Sequence, residues 1–415
     1  MYKKYFIGGF WYKMFGSFCF YLIYAFYYRG GDSCTYFING TVFNEYMLFE
    51  NFGDGLRVIF SNFSGYENFP AWVYYKSAYV YGEGYILIDS RALLTARISS
   101  VVSIFCLNSY LCTNLAFGFL SYIAVFKLFT LFCRLYPEWS QGLSFAFLKV
   151  PSVIFWGSSV NKDTICLSML CILIYAFYKV FIQLNISLKY LLVLPLCTYV
   201  IFSIKSYILV AAIPGLVVFL LINYQNKMLS GAARYLFTPF LVAISVVSLL
   251  LLYQTLSDTF SEFSADNLAK KAEGFQSWHT QLQDESGGSG YSLGEMDFSA
   301  GSILRTSPLA LAITLFGPFP WQVRNAVMFL SSLEGMYFFY LFLVAFSSSY
   351  GLSKIGKIGV EPVLLFCLLF TVILGISVGL TSFNYGALVR FKIPLMPFFA
   401  SFLVLLRQPL KKTQK

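Results

Sequence analysis

Acids and cations recur where long apolar runs of this chain begin or end. Asp32 stands in YYRGGDSCTYF, Lys162 and Asp163 in PSVIFWGSSVNKDTI, Lys205 in FSIKSYI, and Arg390 with Lys392 in FNYGALVRFKIP. Ionisable groups at or inside a bilayer are costly unless paired or hydrated, so each is a functional candidate. Lys and Arg grip phosphate oxygens, and a nearby carboxylate can take the proton from an acceptor hydroxyl. The set suits a lipid-linked phosphate. Lys162, Lys205 and Arg390 would hold its charge and Asp32 would act as base. Asp163 would orient the cations or help to bind a divalent metal.

Each candidate also has a plainer reading. Asp32 could be a flanking acid beside Arg29, and Lys162–Asp163 an ion pair capping the following helix. Lys205 could snorkel from a turn, and Arg390 could anchor to lipid phosphates. His279, the single histidine, lies in the polar stretch FQSWHTQL and reads as a solvated helix-face residue. Glu334 falls inside an apolar run and needs a buried partner or neutralisation. Trp321 and Arg324, in and just after FGPFPW, and Tyr36 would line an acceptor or lipid groove; a membrane-interface belt is the rival.

The elements that must position these residues are helices of bilayer length. The chain has 415 residues, 58% of them hydrophobic and 12% charged, with a mean hydropathy of +0.69. Soluble domains carry about 45–50% apolar and about 25% charged residues. Apolar stretches of roughly 17–25 residues can be marked at about 5–28, 108–133, 143–160, 164–182, 188–204, 206–222, 233–253, 325–346, 360–380 and 386–406. The composition excludes a soluble enzyme and a disulfide scaffold, and the runs lack the alternation of a transmembrane β-barrel. The expected fold is an all-α polytopic membrane protein with about ten spans (roughly 9–12), the first retained as an anchor.

The net charge of +10 is a topology signal rather than a nucleic-acid surface. Lys3, Lys4, Lys179, Lys189, Lys227, Arg234, Lys354, Lys357 and Arg407 sit between or beyond apolar runs, as cytoplasmic loops do. Acids cluster in two long segments, about 29–107 and 254–323. About ten crossings with both termini inside put those segments outside. This requires 89–104 (SRALLTARISS and its flanks) to be an interfacial helix, since Arg91 and Arg97 suit a membrane surface better than its centre. Other aromatic and amphipathic stretches of 29–107 read as helices lying on the membrane face. The chain thus divides into a seven-helix module over 1–253 with external loop 29–107, an external loop over 254–323 with a re-entrant or interfacial piece at 306–319, and three spans over 324–415. The nine cysteines show no CxxC pair and no zinc spacing.

This layout resembles the GT-C membrane glycosyltransferases, which use polyprenyl- or dolichyl-phosphate sugars and include protein O-mannosyltransferases and aminoarabinose transferases. The resemblance rests on a long external loop after span one with an early acid, a second acid between spans three and four, and a large external loop after span seven. GGDSCTYF resembles the segment carrying the family's catalytic acid, which falls on Asp32; NKD resembles the second acidic site, which falls on Asp163. The implied activity is sugar transfer from a polyprenyl-phosphate donor to a glycan or lipid acceptor on the outer face of a bacterial plasma membrane. Many relatives have two adjacent acids after span one, whereas Asp32 is followed by Ser33, so a divalent metal on Asp32 and Asp163 stays open. PSVIFWGSSVNKD and NYGALVRFKIPLMPF also look like segments of O-antigen and capsule polymerases, which makes a polymerase or ligase the nearest alternative. A lipid or oligosaccharide transporter is a third, and would need polar residues near the bilayer midplane.

Overall fold

The computed structural model describes residues 2–228, 289–294, 300–347 and 361–407, with the isolated residues 240, 243, 274 and 358. The expected span 233–253, His279 and most of the loop 254–323 lie outside the described residues. What is described is helical, with no strand and a single isolated bridge between Gly290 and Asn384. The chain divides into two compact units, Met1–Pro137 with Phe147–Leu209, and Glu138–Ala146 with Val210–Lys415.

The first unit is built on α1 (Lys3–Leu22, continued as a wider turn to Tyr27), α6 (Tyr110–Leu135) and α9 (Lys162–Phe177, continued to Ile182). Between α1 and α6 lie α2 (Asp32–Glu45), α3 (Phe52–Phe60), α4 (Ala71–Tyr75) and α5 (Ser90–Phe105). The helix expected at 89–104 is α5, and Asp89 caps it by accepting from the Arg91 amide at 3.0 Å. Arg97 on this helix is buried within the protein: it is 5% exposed and its guanidinium donates to the Val58 and Phe63 carbonyls and to Ser61. Five donors in a rigid fork can be satisfied by backbone, so the charge needs no water.

Helices α2 and α5 run in the same direction, with Gly40 against Ala96 and Ser100 and Asn44 against Ser100 and Ser103. A Cβ on Gly40 would come within 2.8 Å of the Ser100 amide nitrogen, so only glycine permits this approach.

The expected span 143–160 is not one helix. It consists of α7 (Ser140–Leu148) and α8 (Pro151–Trp156), because Pro151 lacks the amide and the steric room to continue α7. Within the first unit this stretch climbs along α1, with Leu148 by Gly9, Ile154 by Gly16, and Trp156 against Phe20 and Tyr24. The expected spans 188–204 and 206–222 are two helices that meet at Lys205, where the backbone leaves helical geometry (φ −144°, ψ 75°); together they make up α10 (Leu188–Met228, 41 residues). Unbroken, it would be about 60 Å long, roughly twice the hydrocarbon thickness. The part before Lys205 runs antiparallel to α9, pairing Tyr190 with Tyr175, Cys197 with Met169 and Lys205 with Asp163.

The second unit contains α11 (Ala300–Phe316), α12 (Ala326–Ser347), α13 (Pro362–Ser382), α14 (Tyr385–Phe391) and α15 (Met396–Leu406). Thr314 of α11 donates to the Gly375 carbonyl of α13 at 2.8 Å. The expected span 386–406 is bent by 67° between α14 and α15, where Pro394 removes an amide.

Six helices among the described residues are long and apolar enough to cross a membrane, or seven if α14 and α15 form one span. The difference from about ten has four sources: the break at Pro151, the counting of the two helices of α10 as one, the bend before α15, and the segment 233–253.

Candidate functional site

Asp32 is placed by the turn that leaves α1. Arg29, Gly30 and Gly31 all take positive φ, 52°, 158° and 100°, and this reverses the chain so that Asp32 opens α2. Gly31 is where a side chain would be strained. Asp32 is exposed at the first position of its helix, where a carboxylate is favoured by the helix dipole. Tyr36, one turn on, is 4% exposed.

Lys162 and Asp163 open α9. The preceding segment Gly157–Asn161 is buried and non-helical, so its backbone groups need partners. They come from α6 and α9: Asn114 accepts from the Val160 amide at 3.1 Å, Ser121 donates to the Gly157 carbonyl at 2.7 Å, and Thr164 accepts from the Ser159 amide at 3.2 Å. The site segment is thereby suspended from packed helices rather than carried on a free loop.

Lys162 faces several groups at once. Its ammonium lies 3.3 Å from an Asp89 oxygen and 5.5 Å from the Tyr36 ring centroid. It is also in electrostatic contact with Asp32 and Lys205. The Lys162 side chain is 19% exposed and that of Asp89 46%. Deeper in, Lys205 donates to Asp163, with side chains 8% and 0% exposed. The non-helical geometry of Lys205 marks the point where α10 meets the start of α9. Tyr85 adds a hydroxyl near Thr35, Glu83 and Asp32; partial burial pushes its phenol up, with the hydrogen bond from Thr35 opposing and Glu83 and Asp32 adding to the rise.

Five of the expected residues, Asp32, Tyr36, Lys162, Asp163 and Lys205, therefore come together within the first unit, where α1 ends and α6 and α9 begin. Arg390, Trp321 and Arg324 belong to the second unit. Arg390 is half-buried on α14, Trp321 is 79% exposed and stacked on Phe319 with centroids 5.1 Å apart, and Arg324 is exposed. The neighbouring Lys392 is buried, donates to the Gly317 carbonyl at 3.1 Å and interacts electrostatically with Glu334. Glu334 thus has the cationic partner its place in an apolar run demands.

A divalent metal does not fit these residues. No three or more His, Cys, Asp or Glu side chains converge among the described residues. Asp163 is fully buried with one oxygen on Lys205, so it offers little to a metal shared with exposed Asp32. All nine cysteines are free thiols.

Three participants escape a reading of the sequence. Asp89, the partner of Lys162, stood in the sequence only as one of the acids of the 29–107 segment. Tyr85 gave no signal among the many tyrosines of its loop. Lys13, in FWYKMFG, is 5% exposed and donates to the Val153 carbonyl at 3.0 Å, fixing α8 just ahead of the site segment; a lysine inside an apolar run was its signal. No protein-family model matches the chain, and neither a curated protein nor a solved structure matches it.

Proposed function

We propose that this chain is a membrane glycosyltransferase of the GT-C kind, acting at the outer face of a bacterial plasma membrane. It takes a sugar from a polyprenyl-phosphate donor and passes it to a glycan or lipid acceptor. The observation that carries this reading is Lys162: a part-exposed ammonium with Asp89, Tyr36 and Asp32 around it, at one end of the helices of the first unit.

In the proposed step the Asp32 carboxylate takes the proton of an acceptor hydroxyl as that oxygen attacks the anomeric carbon. The bond from that carbon to the phosphate oxygen breaks, and its electron pair leaves with the polyprenyl phosphate. Lys162 stabilises the growing charge on the leaving group, where a fixed cation contributes most. The Lys205–Asp163 pair supports Lys162 from below and does not itself touch the donor.

The ten-crossing topology belongs to the same proposal. In its favour, Lys127 and Lys179 gather around Tyr175, at 5.1 and 5.6 Å, near the far end of α9 from Asp32. A basic end opposite an acidic one is what a cytoplasmic end with N- and C-termini inside would give.

The test is transfer by the purified chain in proteoliposomes, supplied with a panel of radiolabelled polyprenyl-phosphate sugars and a lipid acceptor. Single-sugar products support the reading. A ladder of repeats makes the chain a polymerase of lipid-linked units, and no product from any donor removes the assignment.

A further inference from the structure

Helix α3 uses only part of its apolar circumference inside the protein. Gly55, Val58 and Ile59 are buried. On the adjoining sector Phe52, Leu56 and Phe60 project outward, 63%, 36% and 72% exposed, stacked at the four-residue spacing that places side chains one above another. Phe49, just before the helix, is 80% exposed. The remaining sector carries the exposed charges Asp54 and Arg57.

The stripe is held outward. The Arg97 guanidinium grips the Val58 carbonyl at 2.8 Å, the Ser61 hydroxyl at 3.2 Å and the Phe63 carbonyl at 3.0 Å, which fixes the rotation of α3 about its own axis. A second exposed apolar pair lies at the exit of α5, where Phe105 and Leu107 are 85% and 92% exposed. Asn44, in the last turn of α2, donates to Ser103 at 3.0 Å and to Asn108 at 2.9 Å, so α2 and α5 end side by side. None of these six outward side chains has a polar atom. The exposed tyrosines nearby in sequence, such as Tyr75 and Tyr79, each carry a hydroxyl.

We infer that α3 and the exit of α5 form a seat on the lipid bilayer, with Phe49, Phe52, Phe60 and Phe105 immersed at the boundary between headgroups and acyl chains. The occupant follows from the chain's own course. Tyr110, first residue of the long apolar helix α6, comes three residues after Leu107, so the bilayer begins where the patch ends. An amphipathic helix beside a bilayer surface immerses its apolar face and keeps its charged rim at the headgroups, as Asp54 and Arg57 on the remaining sector allow. Helix α2 starts at Asp32 and ends beside this seat, which therefore fixes the depth of the helix that bears Asp32. The inference stands whether or not the proposed reaction does.

The test places p-benzoylphenylalanine at Phe52, Phe60, Phe105 or Asp54, one at a time, in the full chain reconstituted in nanodiscs of phosphatidylethanolamine and phosphatidylglycerol with alkyne-tagged acyl chains. After irradiation, lipid adducts at positions 52, 60 and 105 should exceed those at 54 by about fivefold or more. Equal labelling at 54, cross-linking to a second copy of the chain, or no lipid adduct at the three phenylalanine positions would overturn the seat. The probe replaces one aromatic ring by another on an exposed surface. Position 105 lies on a different helix, so it remains decisive if a variant in α3 misfolds.

Discussion

The Lys205 ammonium donates to a carboxylate oxygen of Asp163, 42 positions earlier in the chain, with both side chains out of water. This ion pair joins the start of α9 to the break in α10. It makes a contact between two remote segments the floor of the site.

Breaking a buried pair by removing one partner leaves an uncompensated charge, at a cost of about 3–5 kcal/mol, while replacing both by apolar residues is often near neutral. Asp163→Asn and Lys205→Met should each lower the melting temperature of the detergent-purified chain. The double variant Asp163→Leu with Lys205→Met should recover most of that loss. Additive losses in the double variant would mean that the two groups do not stabilise each other.

Of the two site lysines, Lys162 has the greater access to solvent, so it is the one expected to meet the donor. Lys162→Met should raise KM for a polyprenyl-phosphate sugar by about 10- to 100-fold, the worth of a charge-assisted hydrogen bond. Asp89→Asn frees the ammonium from its partner and should leave KM unchanged or lower it. A Lys162→Met chain with unaltered KM and kcat would remove the lysine from donor recognition.

Arg97 provides a third expectation, independent of activity. Arg97→Lys keeps the charge but loses the fork that holds Val58, Ser61 and Phe63 together. Amide exchange over residues 58–63 should accelerate by about tenfold or more, matching a loss of roughly 1–3 kcal/mol. Exchange as slow as in the parent chain would show that packing alone holds α3.

The helices were legible where apolar runs were long and uninterrupted: α1, α6, α9, α12 and α13 fall close to the expected spans. The runs misled where one residue changed the backbone without changing hydropathy. Pro151 and Pro394 break helices that count as apolar, whereas Lys205 parts two apolar helices where the runs themselves placed a boundary. The site residues of the first unit were visible as charges at the ends of apolar runs. Their pairings were not, because Asp89 meets Lys162 across 73 positions and only folding makes them neighbours. The partners of Arg97 were hidden for the same reason: the three oxygens that bury its guanidinium come from the 58–63 segment, more than thirty positions earlier.

The most direct measurement compares wild-type and Asp32→Asn chains in proteoliposomes with the same radiolabelled polyprenyl-phosphate sugar, following both donor binding and transfer. Asp32 is exposed, so the variant should fold and bind donor normally. Transfer should drop by about 10²- to 10⁴-fold, the usual contribution of a general base. Transfer at the wild-type rate by Asp32→Asn would contradict the account.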